Sequence, residues 1–193
     1  VDEDEFNPAA DRLISANYTP ETLDEGKAEC RKQFFQKWGV KDEGGPTFGL
    51  VSRLTYQKGI DLILKAAPRF LEEGAYLIVL GSGEDGLERG LEYLKACYPK
   101  NVYTYIGYSD PLAHEIYSSC DFFLMPSLFE PCGIGQIIAE EYGTLPVGRK
   151  TGGIADTIIH YDGSNPDKAT GFLFENYDET GLAWGMGEAV KVY

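Results

Sequence analysis

The chain has 193 residues, and at roughly 100 to 200 residues per domain that accommodates one good-sized core and excludes two well-filled ones. Hydrophobic residues make up 43% and aromatic residues 13% of the chain, too much apolar content for a disordered polypeptide. With 17 Lys and Arg against 31 Asp and Glu the net charge is -14, which repels phosphate backbones and anionic lipid alike, so no nucleic acid and no membrane is expected as a partner.

The N-terminus opens on Asp2-Glu3-Asp4-Glu5, with neither the basic start nor the apolar run of a signal peptide. No stretch approaches the ~20 apolar residues of a membrane helix, and an intracellular protein is the expectation. Asp2-Glu3-Asp4 imitates a cation-binding Asp-x-Asp but reads as a solvated charge run. Residues 27–38 place Cys30, Phe34, Phe35 and Trp38 at helical spacing and stop at Gly39. Glu43-Gly44-Gly45-Pro46 then breaks the chain, dividing an acidic segment with a linker helix (1–45) from the body of the domain (46–193).

From Thr47 onward, short apolar runs begin near Thr47, Tyr76, Val102, Phe122, Leu145 and Gly171, each followed by a Gly- or Pro-bearing turn and an amphipathic stretch. After the first run, Ile60, Ile63, Leu64, Ala67, Phe70 and Leu71 share one helical face; after the second, Leu87, Leu91 and Leu94 do the same. Runs such as Leu77-Ile78-Val79-Leu80 are apolar without alternation, as strands covered on both faces are. The pattern predicts an α/β fold, a doubly wound Rossmann-like parallel sheet whose ligands bind beyond the carboxyl ends of the strands.

Gly81-Ser82-Gly83-Glu84-Asp85-Gly86 is a literal dinucleotide fingerprint between a strand and a helix. Two carboxylates where a pyrophosphate should sit, and no acid at the tip of the following strand, argue for a tight structural turn instead. Cys30, Cys97, Cys120 and Cys132 form no Cys-x-x-Cys pair and have only His114 and His160 to help them, so no metal site is expected and the thiols read as reduced residues in the body of the fold.

Three passages carry chemistry. In Ser52-Arg53-Leu54-Thr55-Tyr56-Gln57-Lys58-Gly59, two cations precede a helix start whose dipole disfavours them, which implies a compensating anion such as a diphosphate. In the turn of residues 126–136, Glu130 is framed by Pro and Gly and suits sugar hydroxyls. Thr151-Gly152-Gly153 offers a backbone that a ligand can approach closely, beside Arg149 and Lys150.

Ser-Arg-Leu-Thr-x-Gln-Lys-Gly (52–59), Phe-Glu-Pro-Cys-Gly (129–133), Tyr-Gly-Thr-Leu-Pro (142–146) and Thr-Gly-Gly-x-Ala-Asp-Thr (151–157) together resemble the C-terminal, nucleotide-sugar-binding domain of bacterial glycogen synthases and plant starch synthases, retaining glycosyltransferases of the GT-B fold. The resemblance runs over almost the whole chain. It implies that Arg53 and Lys58 bind the donor diphosphate and Glu130 the donor glucose, as the catalytic residues. It further implies that Tyr108 stacks on adenine at the end of its strand, taken as a central one, and that Cys132, Gly133, Thr151, Gly152 and Gly153 line the donor site. The implied donor is ADP-glucose and the acceptor an α-1,4-glucan, with no cofactor and no metal. The location would be cytoplasmic in a bacterium and the plastid stroma in a plant. The family's N-terminal domain, with its Lys-x-Gly-Gly motif, and its C-terminal return helix are missing, so the chain resembles half an enzyme and is expected to be inactive alone. A UDP-glucose-using relative and a non-catalytic nucleotide-sugar or glucan-binding module are the alternative readings. Two positions depart from the family: Ile138 stands where many relatives carry a second glutamate, and Gly148 where a branched apolar residue is usual.

Overall fold

The computed structural model describes residues 2–193. Six parallel strands, β1 (Thr47–Val51), β2 (Tyr76–Gly81), β3 (Val102–Ile106), β4 (Phe122–Met125), β5 (Leu145–Arg149) and β6 (Phe172–Phe174), form one sheet in the order β3-β2-β1-β4-β5-β6. The helices are α1 (Leu23–Trp38), α2 (Ile60–Glu72), α3 (Asp85–Cys97), α4 (Asp110–Ser119), α5 (Gly135–Glu141), α6 (Gly152–Thr157) and α7 (Glu179–Val192). This is the doubly wound order, and the winding reverses between β1 and β4.

The alternation of side chains along β2 explains the two layers. Leu77 and Val79 enter the core under α2, α3 and α7, whereas Tyr76, Ile78 and Leu80 enter the core under α1, α4 and α5. On α2 the apolar face is as the spacing predicts, except that Leu64 is only partly buried and Leu62 and Ala66 join the core. The helix of residues 27–38 extends back to Leu23 and ends at Gly39 in the left-handed conformation (φ 77°), so that its N–H reaches the carbonyls of Phe35 and Gln36.

The N-terminal segment packs on the body of the domain: Ile14 and Tyr18 belong to the α1/α4/α5 core, and the Tyr18 hydroxyl donates to the Tyr142 carbonyl at 2.7 Å. The cysteines correct the expectation that all four lie within the fold. Cys30 and Cys120 are buried, but Cys97 and Cys132 are exposed, because they lie on the last turn of α3 and in the loop before α5, where no second layer covers them. No helix among the described residues is long and apolar enough to cross a membrane.

Candidate functional site

The reversal of winding leaves a gap. β1 and β4 pair only at Phe48–Phe122 and Gly49–Phe123, so the last residues of both strands are free to part. A cleft of about 290 Å³ opens there, with Leu50, Val51 and Arg53 on one wall and Leu124, Met125 and Glu130 on the other. It is the crevice that this topology reserves for ligands.

Three loops build its rim, and backbone hydrogen bonds lace them into one unit. Leu128 N–H donates to the Gln57 carbonyl at 2.8 Å, joining the loop after β1 to the loop after β4. Gly153 N–H donates to the Glu130 carbonyl at 2.9 Å, and Arg149 Nη1 to the Leu128 carbonyl at 2.6 Å, joining the third loop to the second. Glycine is required at both seams. Gly59 has φ 75° and a Cβ there would lie 2.0 Å from the Pro126 carbonyl oxygen; Gly152 has φ 44° and its Cβ would meet the Glu130 oxygen at 2.3 Å.

Glu130 is the buried carboxylate of the cleft, 9% exposed. Its Oε2 accepts from Lys58 Nζ at 2.6 Å and from Ser127 Oγ at 3.2 Å. The anion that compensates Lys58 is therefore Glu130 itself, a correction to the expectation that both cations await a ligand. Lys58 reaches it because Thr55 Oγ1 accepts from the Lys58 N–H, closing a 3₁₀ turn (Tyr56–Lys58) that aims the side chain across the cleft. Arg53, by contrast, is exposed and makes no ion pair among the described residues.

Cys132 and Gly133 line the same cleft. Gly152 and Gly153 pack against the Glu130 loop, and neither they nor Thr151 line the cleft. Tyr108 also lies outside it. Its strand, β3, is an edge strand and not a central one, because the winding places it outermost. The ring is 83% exposed, and its hydroxyl donates to Asp110 Oδ1 at 3.1 Å, which raises the phenol pKa.

Two side chains of the site were not singled out from sequence. Ser127 was visible in the motif as a hydroxyl three residues before Glu130. Gln136, fully buried, donates from Nε2 to the Gly133 carbonyl at 2.5 Å and to Thr157 Oγ1 at 3.0 Å, a role that a polar residue in an apolar helix does not advertise. The family departures have packing explanations. Ile138 is buried against the cleft floor, and a Cβ at Gly148 would fall 2.6 Å from Ile154 Cγ2, so Ile154 fills the space a branched residue would need. Two glycines of the fingerprint-like loop lie hard against the chain after β1: a Cβ at Gly81 would meet the Ser52 oxygen at 2.0 Å, and at Gly83 the Leu54 oxygen at 2.3 Å, whereas one at Gly86 would meet nothing. Their close approach serves protein backbone.

Comparison with known proteins places this geometry. The family model described as glycosyl transferases group 1 matches residues 31–192. A glycogen synthase of Bacillus cereus (strain B4264) is 40% identical over all of this chain, and a glycogen synthase 2 of Geobacter metallireducens is 42% identical over the same span. Each match covers 40% of the relative's own length. Among solved structures, the catalytic domain of starch synthase IV from Arabidopsis thaliana, bound to ADP and acarbose, superimposes with a TM-score of 0.93 at 34% identity, over 100% of this chain and 40% of that one.

Proposed function

The chain belongs to the glycosyl transferases group 1 family, and on that premise we propose that it is the donor-binding part of a retaining glucosyltransferase that moves glucose from ADP-glucose to the non-reducing end of an α-1,4-glucan. One observation carries the reading: Arg53, Lys58 and Glu130 meet in the crevice between β1 and β4.

The chemistry follows from those three groups. As the bond from the anomeric carbon to the diphosphate breaks, negative charge grows on the leaving group, and fixed cations stabilise that state more than the ground state. Arg53, exposed and without an ion pair among the described residues, meets the diphosphate first. Lys58 has three N–H donors, one of which holds Glu130 at 2.6 Å, so it can grip a phosphate oxygen and the carboxylate together. Glu130, oriented by Lys58 and Ser127, accepts from the sugar hydroxyls and offsets part of the oxocarbenium charge. Deprotonation of the acceptor falls to the leaving phosphate. The reaction requires no cofactor and no metal, since the two cations supply the charge. Tyr108 stacks on the adenine, and the Gly152-Gly153 loop holds the Glu130 loop in place. The chain spans 40% of the length of the relatives it matches, and the acceptor surface is assigned to an N-terminal domain of the parent enzyme.

Calorimetric titration tests this. These 193 residues should bind one ADP, more tightly than UDP, and Arg53→Ala should weaken binding at least tenfold, while glycogen incubated with ADP-glucose and the chain alone gains no glucose. Equal or tighter binding of UDP would move the reading to a UDP-sugar transferase. Failure of ADP to bind at all would overturn it, and glucan extension by the chain alone would overturn the assignment of the acceptor surface to another domain.

A further inference from the structure

A second cluster lies away from the crevice, where the N-terminal segment crosses the start of α4. One carboxylate oxygen each of Glu5 and Asp110 and an imidazole nitrogen of His114 all fall within 4.8 Å of one another. Asp110 and His114 are four residues apart on α4 and share a face.

The histidine is what distinguishes this cluster from a chance meeting of surface acids. His114 is 1% exposed, and its Nε2 is sealed from solvent with no hydrogen-bond partner among the described residues. Its Nδ1 lies 2.6 Å from Asp11 Oδ2. That carboxylate also accepts from the Tyr142 hydroxyl at 2.5 Å, and its other oxygen accepts from the Leu13 N–H at 2.8 Å. With those donors on Asp11, the geometry suits Nδ1 as the donor of this pair, which in the neutral imidazole leaves Nε2 as the acceptor nitrogen. A carboxylate behind one nitrogen and a free lone pair on the other is the arrangement that orients a metal-ligating histidine. Phe6 stacks on the ring at 4.7 Å with planes 12° apart, fixing its orientation.

We propose that Glu5, Asp110 and His114 form a binding site for a first-row divalent cation, Zn²⁺ foremost, which clasps the N-terminal segment onto α4. One imidazole and two carboxylates make a borderline donor set suited to such ions. Zinc ligands at ~2 Å from the ion stand about 3.3 Å apart in a tetrahedron, so the set must draw in slightly. Glu5 and Asp110 are exposed, and Asp110, one of whose oxygens accepts from the Tyr108 hydroxyl at 3.1 Å, has a second carboxylate oxygen to offer. The positive end of α4 opposes a cation here, which is why two carboxylates are needed. None of its residues lines the crevice, and it meets the sugar-transfer reading only where Asp110 accepts from the Tyr108 hydroxyl at 3.1 Å.

Co²⁺ is the probe, because its visible spectrum reports the ligands. The chelator-stripped chain should bind one Co²⁺ with no thiolate charge-transfer band, and Zn²⁺ should displace it and raise the melting temperature. Glu5→Gln and Asp110→Asn, both at exposed positions, should each weaken binding at least tenfold and abolish the thermal shift. Asp11→Asn, acting through His114, should weaken binding about 10- to 100-fold. His160→Gln should change nothing. No binding at millimolar Co²⁺, a thiolate band that vanishes on Cys97→Ser or Cys132→Ser, or unchanged affinity in Glu5→Gln and Asp110→Asn would each overturn the site.

Discussion

Arg53 and Lys58 carry the same charge on the same loop, yet their surroundings assign them different work. Lys58 closes a partly buried pair, with side-chain exposures of 20% for the lysine and 12% for Glu130, whereas Arg53 leans into solvent. Among the described residues, Lys58→Ala would leave Glu130 with Ser127 as its only side-chain partner, and breaking such a pair from one side is destabilising. Discounted for partial exposure, the loss should be about 1 to 3 kcal/mol in urea denaturation. Arg53→Ala should stay within about 0.5 kcal/mol of wild type. Adding Glu130→Gln to Lys58→Ala should recover most of the deficit. An unchanged Lys58→Ala midpoint would mean that the pair does not form in solution. Tyr108 divides base recognition from phosphate binding, and its exposure on an edge strand makes the test clean. Stacking is worth ~1 to 3 kcal/mol by truncation, so Tyr108→Ala should weaken ADP about 10- to 100-fold and leave pyrophosphate unchanged. Tyr108→Phe should restore most of the loss. Equal losses for both ligands would place the adenine elsewhere.

The loops depend on one another more than on the strands that precede them. Because Gly152 combines a positive φ with a 2.3 Å approach to the Glu130 oxygen, Gly152→Ala cannot be absorbed without moving the Glu130 loop. It should weaken ADP binding by about tenfold with little change in secondary structure by circular dichroism, and ADP affinity equal to wild type would sink the idea. Strand starts at Thr47, Tyr76, Val102, Phe122 and Leu145 were legible in sequence because buried parallel strands are unbroken apolar runs, and α1 ended where Gly39 said it would. The strand order was not legible. Nothing local tells β3 that it will be outermost, so Tyr108 was placed at a central strand. The Lys58–Glu130 pair was hidden for a related reason: charge type reads from sequence, but which charges will face each other across a topological gap does not. The cysteines show the same limit, since Cys132 lies on an exposed loop beside the cleft and only the fold reveals it.

At the scale of the whole molecule, two groups with opposite proton linkage, half-buried Lys27 and buried Cys120, sit side by side between α1 and the end of α4. Lys27 donates to the Tyr117 and Ser118 carbonyls at the end of α4 and to Thr144 Oγ1, and burial lowers its pKa to about 8. Burial raises the Cys120 thiol to about 12. Unfolded, Lys27 titrates near ~10.4 and Cys120 near ~8.5. From pH 8 to 10 the unfolded state therefore binds the Lys27 proton more than the native state does, which raises stability with pH. Over the same range it has released the Cys120 proton that the native state keeps, which lowers stability. The two slopes, each up to about 1.4 kcal/mol per pH unit, largely cancel in the wild type. Above pH 10 the buried phenols of Tyr18, Tyr117 and Tyr142, all raised by desolvation, add a loss with nothing to oppose it. Urea midpoints should thus be nearly flat from pH 8 to 10 and fall steeply beyond. Lys27→Met should expose the thiol's downward slope in the flat window, and Cys120→Ala the lysine's upward one. Parallel profiles for the two variants would show that neither group carries the linkage that its burial implies.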